Sequence, residues 1–358
     1  MDTSAPKPKA RWTRVVAINL ALLLAGLLVA EAVFGGWFFG RDYGALVVPR
    51  NVARQFDVQG LYGGGTSQYR RDGHGLRGTY ADPGAIDILA IGGSTTNELF
   101  ITEGRTWTDV LAQTLTQAGR PTTVVNAGVD GQSTVGNIKD FELWFPRIPG
   151  LKPRFVLVYT GVNDLALARS GHLAKQDHMV NQRRQLKQVL MNNSALYTAF
   201  RNIRGMLRAR RADLVHGAVS YAGATWVPVE APPVPDPALA PELDAYADRL
   251  ETLIGHIRAL GAKAILVTQH KGGYRIREGR LYGRQQPDGT VDTGDYADLM
   301  AMNARTLAVC RAQGALCIDL ASDLAFGDGD FYDGLHTTPQ GSARIGRYLA
   351  EKLRPVVE

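Results

Sequence analysis

Residues 85–98 read AIDILAIGGSTTNE, and this stretch decides the fold. Ile86, Ile88, Leu89, Ala90 and Ile91 form a short apolar run, the pattern of a parallel strand covered on both faces. Gly92 and Gly93 then remove side chains where the backbone has to turn. Ser94 follows at once, with Thr95 and Thr96 leading toward a helix. A serine at the carboxyl end of the first strand of an open α/β sheet stands where such sheets hold ligands. A turn that merely reverses the chain would use the same letters, so the rest of the chain has to decide.

Downstream, strands and helices alternate. A helix is predicted near 106–118: Thr106-Trp107-Thr108-Asp109 opens it like a capping box, and Trp107, Val110, Leu111 and Leu115 form its apolar stripe. Further strands are expected at 122–125, 155–159 (FVLVY), 263–268 (KAILVT) and 315–320 (ALCIDL). Helices are expected at 137–145, 243–260 and 296–313, and a last one after Thr338-Pro339, an N-cap with proline in the first turn. This alternation implies right-handed crossovers and a doubly wound parallel sheet of five strands. One segment breaks it. Residues 169–241 are too many for an ordinary connection. They hold a basic stretch expected to be helical at 182–211, then a proline-rich run, WVPVEAPPVPDPALAP, expected to be a semi-rigid extended linker. This segment is read as an insertion that flanks or covers the site.

Upstream, residues 15–34 (VVAINLALLLAGLLVAEAVF) are nearly all apolar. Twenty helical residues span roughly 30 Å, the depth of a bilayer core. Lys7, Lys9, Arg11 and Arg14 precede the run, which points the N-terminus to the cytoplasm, and Trp37, Phe38 and Phe39 suit the interface beyond it. A cleaved signal peptide is the rival reading, with Ala30-Glu31-Ala32 as its cleavage site; an uncleaved anchor is preferred because apolar residues continue past that point.

Composition bounds the rest. The 358 residues, 45% hydrophobic and 21% charged, describe a globular chain. The net charge of +6 is unevenly spread: residues 169–216 hold ten basic side chains against Asp177 and Asp213. The bland reading is a solvated helix face; the sharper one is a contact for a polyanion such as acidic polysaccharide, peptidoglycan or anionic headgroups. Nucleic acid is not an expected partner of a domain outside the cytoplasm. Cys310 and Cys317 form no disulfide framework or metal pattern, and ordinary packing is favoured over a bond between them. No metal or organic cofactor is implied, because no ligand cluster or phosphate-binding glycine loop is present. His270, after the fourth strand, is read as a packing residue, and Asp164 as a residue that holds a turn.

Four stretches follow predicted strands and should gather at one sheet edge: Gly92-Gly93-Ser94, residues 126–131 (NAGVDG), Gly161-Val162-Asn163-Asp164 and Asp333-Gly334-Leu335-His336. Together they supply what acyl transfer needs. Ser94 requires a base, since its hydroxyl is a weak nucleophile at neutral pH. His336 can take its proton and return it to a leaving alcohol. Asp333 can fix the imidazole tautomer. Asn163 and the N–H groups of Ser94 and Gly131 can hold a developing oxyanion.

These four blocks, in this order, resemble the SGNH hydrolases, the GDSL-type lipase/esterase family. The resemblance runs from about Ile86 to the C-terminus, apart from the insertion. It implies a flavodoxin-like sheet, Ser94, Asp333 and His336 as catalytic residues, and Ser94, Gly131 and Asn163 as the oxyanion hole. Gly131 is chosen over Gly128 on the family spacing from Asn126. Two departures stand out: Gly93 replaces the family aspartate, and Thr337 replaces the proline usual after the histidine. A second Asp-x-x-His, Asp213 to His216, lies inside the insertion and is set aside.

The implied organisation is a cytoplasmic tail (1–14), a transmembrane anchor (15–39), a connector packing on the main domain (40–85) and an SGNH domain (86–358) with the insertion at 169–241. The expected activity is hydrolysis of an ester, favoured as a carbohydrate O-acetyl, on the periplasmic or extracellular side of the membrane. An acyltransferase, a lipid esterase and a non-catalytic glycan-binding protein of the same fold are the alternatives. A mainly structural membrane protein would rest on charge alone.

Overall fold

The structure is a computed structural model that describes residues 9–38, 48–170, 190, 193–197, 199, 200 and 218–357. Most of the basic stretch 182–211, where the polyanion contact was expected, lies outside the described residues, as do Phe39, His172 and His178. The chain divides into two units, residues 1–45 with 182–214, and residues 46–181 with 215–358.

The first unit holds helix α1, Lys9–Phe34. Its stretch Trp12–Phe34 is long and apolar enough to cross a membrane, and none of it is buried within the chain. Its one acidic side chain, Glu31, accepts from the Trp37 indole at 2.6 Å and from the Leu196 N–H at 3.0 Å. Satisfying a carboxylate in this way lowers the penalty for placing it on an apolar helix.

The second unit opens with a hairpin of β1 (Val52–Asp57) and β2 (Thr66–Arg71), paired antiparallel. Then come β3 (Ile88–Gly92), α2 (Ser94–Asn97), α3 (Trp107–Gln117), β4 (Val124–Asn126), α4 (Thr134–Lys139), β5 (Phe155–Tyr159) and α5 (Val162–Ser170). After the insertion follow β6 (Trp226–Pro228), α6 (Ala240–Ala259), β7 (Lys263–Val267), β8 (Tyr274–Arg277), β9 (Arg280–Gln285) and β10 (Val291–Asp292). The chain closes with α7 (Tyr296–Ala312), β11 (Leu316–Ile318) and α8 (Pro339–Leu353).

The central sheet runs β11-β7-β5-β3-β4, all parallel. Counted along the chain, its strands stand in the order 2-1-3-4-5, the flavodoxin-like arrangement that the resemblance implies. Pleating sends alternate residues to opposite faces. Ile88, Ala90, Leu157, Tyr159, Ile265 and Val267 share one core with Trp107, Leu111 and Leu115 of α3 and with Ile345, Leu349 and Leu353 of α8. Helix α6 packs against both α4 and α7 elsewhere in the unit, and α6 and α7 also contact β7. Both expected helix starts are present. Thr106 and Asp109 close a reciprocal capping box at α3, and the Thr338 hydroxyl accepts from Gly341 N–H in front of α8.

Several expectations need correction. Cys310 and Cys317 are disulfide-bonded, with Cα atoms 5.8 Å apart, because Gly314 turns the chain back between α7 and β11. The helix expected at 137–145 starts earlier, at Thr134, and ends in a π turn over Asp140–Trp144. The proline-rich run is not only a linker: β6 pairs with β9 in a second, antiparallel sheet that also contains β8 and β10. The residues of that sheet after β7 were given no element by sequence reasoning. Their signal was there, in two alternating segments joined by Glu278-Gly279, both with positive φ, as a two-residue hairpin turn requires.

Candidate active site

The switch point of the sheet lies between β3 and β5, whose carboxyl ends carry Ser94 and Asn163. Ser94 opens α2 directly after the strand. Residues 330–338 bring the histidine to it. The Asp333 carboxylate folds this loop by accepting from Leu335 N–H at 2.7 Å and His336 N–H at 2.6 Å. Tyr332 N–H donates to His336 O at 3.0 Å, and the ring of Tyr332 stacks on the imidazole at 5.7 Å.

His336 Nε2 then lies 2.8 Å from Ser94 Oγ, and Nδ1 lies 2.7 Å from Asp333 Oδ2. Burial would raise the Asp333 carboxyl, but the hydrogen bond and charge of His336 and the two loop N–H groups outweigh it, so it stays below its ordinary value. An ionised carboxylate only accepts, so Nδ1 carries the proton. In the neutral ring Nε2 is then the acceptor for the serine hydroxyl. This is the protonation state a base needs before attack.

The resemblance implies three oxyanion donors, the N–H groups of Ser94 and Gly131 and the Asn163 amide, and the structure gives each its surroundings. The Ser94 and Gly131 N–H groups have no acceptor among the described residues. Gly131 is exposed with φ +74°, whereas Gly128 is buried and its N–H is occupied by Asn126 Oδ1 at 2.9 Å. The third donor, the Asn163 amide, gives one N–H to Gln132 O at 2.8 Å. It also fills the space beside Gly93, where an added Cβ would meet Asn163 Nδ2 at 2.3 Å and Gln132 O at 3.0 Å. That contact gives a physical reason for glycine here in place of the family aspartate.

Other side chains were missed by sequence reasoning. Gln269, just beyond β7, donates to Thr95 Oγ1 at 2.9 Å and accepts from Val162 N–H at 2.8 Å, linking the serine turn to the Asn163 turn. Glu98 is buried with a left-handed backbone. Its carboxyl accepts from Trp107 N–H, Thr337 Oγ1 and Ser342 Oγ at 2.7, 2.8 and 2.9 Å, so it joins the serine turn to the residue after His336. Burial pushes this carboxyl up to about 7 against those three hydrogen bonds and the nearby Arg77 charge. Asp164 ties the first turn of α5 to the start of α4 and to α6: it accepts from Thr134 N–H at 3.1 Å and from Arg249 at 3.2 Å. His270 lies between Tyr274 at 4.3 Å and Phe326 at 4.7 Å, pushed down to about 3 by burial and by Arg275, and is a neutral packing group. Among the described residues no group of three or more His, Cys, Asp or Glu side chains could hold a metal ion.

Residues 90–344 match the model of the GDSL-like lipase/acylhydrolase family. No curated protein matches the chain. Among solved structures it is similar to a catalytic mutant of an acetylxylan esterase from Geobacillus stearothermophilus (13% identity, 75% of this chain and 94% of that one, TM-score 0.43). It is also similar to a lipolytic protein of the G-D-S-L family from Desulfitobacterium hafniense (13%, 75% and 99%, 0.41). An α/β hydrolase from the metagenome of Lake Arreo, Spain, is similar too (15%, 76% and 96%, 0.43). The chain belongs to the GDSL-like lipase/acylhydrolase family and is an ester-hydrolysing serine hydrolase.

Proposed function

We propose that Ser94 is the nucleophile of this esterase, His336 its general base and Asp333 the residue that holds the imidazole. The observation that carries this reading is the line from Ser94 Oγ through His336 to Asp333, with steps of 2.8 and 2.7 Å. His336 Nε2 takes the hydroxyl proton as Oγ attacks the ester carbonyl. The carbonyl electrons move to oxygen, where the N–H groups of Ser94 and Gly131 and the Asn163 amide receive the charge. Collapse breaks the bond to the alcohol, which leaves with the proton from His336. Water then attacks acyl-Ser94 by the same route, with His336 again as base, and the acid departs.

The favoured substrate is a carbohydrate O-acetyl ester, on the resemblance to anchored members of the family; a lipid ester comes second. We read residues 15–39 as an anchor behind a short cytoplasmic tail, with the catalytic domain on the periplasmic or extracellular side. Lys7, Lys9, Arg11 and Arg14, ahead of the apolar run, support that orientation. The Cys310–Cys317 disulfide supports an oxidising compartment.

The test is hydrolysis of p-nitrophenyl esters of increasing acyl length by the full chain in detergent, beside Ser94→Ala and His336→Ala. Activity greatest on acetate, and lower by at least ~10⁴-fold in both variants, is the expected result. Equal background rates in all three proteins would overturn the assignment. Preference for long acyl chains would move the substrate to lipids, and an acceptor-dependent product with little free acetate would move the reaction to transfer.

A further inference from the structure

The hairpin β1–β2 precedes the stretch that the family model matches, yet its side chains reach the serine turn. Strand β2 alternates exposed and buried positions, so Ser67, Tyr69 and Arg71 share its inward face. Arg71 is only 3% exposed. Its Nε donates to the Tyr69 hydroxyl and its Nη1 to Gly75 O at 2.6 Å. Its Nη2 donates to Asn97 Oδ1 at 2.7 Å and also to Gly128 O. All four acceptors are neutral. A buried cation is costly unless its hydrogen bonds are met, and here they are met without a counter-charge among the described residues.

The two targets of Nη2 identify its role. Asn97 closes α2, the turn that Ser94 opens, and Gly128 belongs to the loop that ends in Gly131. A single planar guanidinium therefore spans the nucleophile turn and the loop of an oxyanion donor. Asn97 strengthens the tie by donating to Asp130 Oδ1 at 2.7 Å, next to Gly131, and the Tyr69 hydroxyl donates to Asn97 Oδ1 at 3.2 Å. Arg77 supports the same corner. It donates to the carbonyls of Asn97, Glu98 and Ile101, and it pairs with Glu103 at 2.8 Å. The last carbonyls of a short helix have no partner within it, and a cation placed there satisfies them.

We propose that Arg71 is a positioning residue whose guanidinium fixes the separation between Ser94 and the Gly131 loop, so that the catalytic unit of this chain begins at the hairpin. This inference rests on the acyl-Ser94 reading. A displacement of 1 Å between nucleophile and oxyanion donors costs about 100-fold in rate. Arg71 touches neither substrate nor reacting atoms, so its loss should appear in the chemical step and leave substrate binding nearly unchanged.

The experiment uses the full chain with Arg71→Lys, Arg71→Gln and Tyr69→Phe. It reads kcat and KM on p-nitrophenyl acetate, the rate at which a fluorophosphonate labels Ser94, and the thermal midpoint. Both Arg71 variants are expected to lose about 100-fold in kcat and in labelling rate, with KM within about threefold and the midpoint pH of the kcat profile unchanged. Tyr69→Phe keeps the ring and removes only the hydroxyl that buttresses the fork, so it serves should the Arg71 variants not fold; a kcat loss of several-fold is expected. A folded Arg71→Gln or Tyr69→Phe enzyme with parental kcat overturns the proposal, whatever its thermal midpoint. A fully active Arg71→Lys also overturns it, because lysine keeps the charge and lacks the fork. A loss confined to KM does the same. A parent whose Ser94 is not labelled overturns the acyl-Ser94 reading itself, and this inference with it.

Discussion

The nucleophile turn and the histidine loop face each other across 2.8 Å, yet they are held in different ways. The loop at 330–338 has a strong local framework, to which Val219 N–H on Tyr332 O, Gly272 N–H on Gly334 O and the Thr337 hydroxyl on Glu98 add ties from elsewhere. Asp333 accepts from the N–H groups of Leu335 and His336, Tyr332 N–H reaches His336 O, and Thr338 N–H reaches Asp330 O. The turn at 92–98 is held from afar. Arg71 and Arg77 come from before β3, Trp107 donates its indole N–H to Thr95 O, Gln269 arrives from beyond β7, and Thr337 and Ser342 donate to Glu98. The side-chain ties of the serine turn therefore come from several distant elements, whereas the carboxylate that orders the histidine loop belongs to the loop itself.

The largest expected effect breaks the histidine side alone. Asp333→Asn keeps an oxygen for the loop N–H groups but cannot hold the proton on Nδ1, so kcat should fall by about 10⁴-fold with little change in thermal midpoint. A loss under tenfold would show that the loop, and not the carboxylate, sets the tautomer. Next comes the serine side. Gly93→Asp should displace the Asn163 amide and lower kcat by ~10²–10³-fold, as Asn163→Ala should. Because both changes remove one interaction, the double variant should be no worse than Asn163→Ala, and fully additive losses would disprove the steric link.

Acidity separates the two regions further. The Glu98 carboxyl is raised in the folded chain, from 4.5 to about 7, so its stabilising contribution is complete below pH 4.5 and is lost as pH rises through 7. The Asp333 carboxyl is lowered, so its contribution is present above the ordinary carboxylate range and is lost as pH falls through its depressed value. Urea unfolding of Glu98→Gln should therefore lack the decline between pH 4.5 and 7 that the parent shows, and retain the acid-side loss. The smallest effect on activity belongs to Cys310→Ser, remote from both regions. Removing the Cys310–Cys317 bond should cost about 2–3 kcal/mol of stability, with kcat unchanged.

The same contrast explains what the sequence made legible. The histidine loop is local, so Asp333 and His336 could be read from their spacing, and Thr338-Pro339 marked the helix behind them. Ser94 was legible because a buried strand and two glycines announce a turn at the sheet edge. Arg71, Gln269 and the carboxyl of Glu98 were not legible. Their partners lie tens or hundreds of residues away, and an arginine in a stretch without clear periodicity looks like surface. The disulfide was missed because a helix end and a strand start seemed to separate the cysteines, while Gly314 brings them back together.

The hairpin also bears on inheritance. Residues 90–344 carry all four sequence blocks and would look like a transferable module. A recombination event that joined the chain just before β3 and kept everything after it would pass on every reacting group and the whole sheet core, and leave behind the arginines that aim them. Such an offspring would keep the motif of an esterase and be a slow one, and natural shuffling of this domain would preserve its rate only by carrying β1 and β2 along.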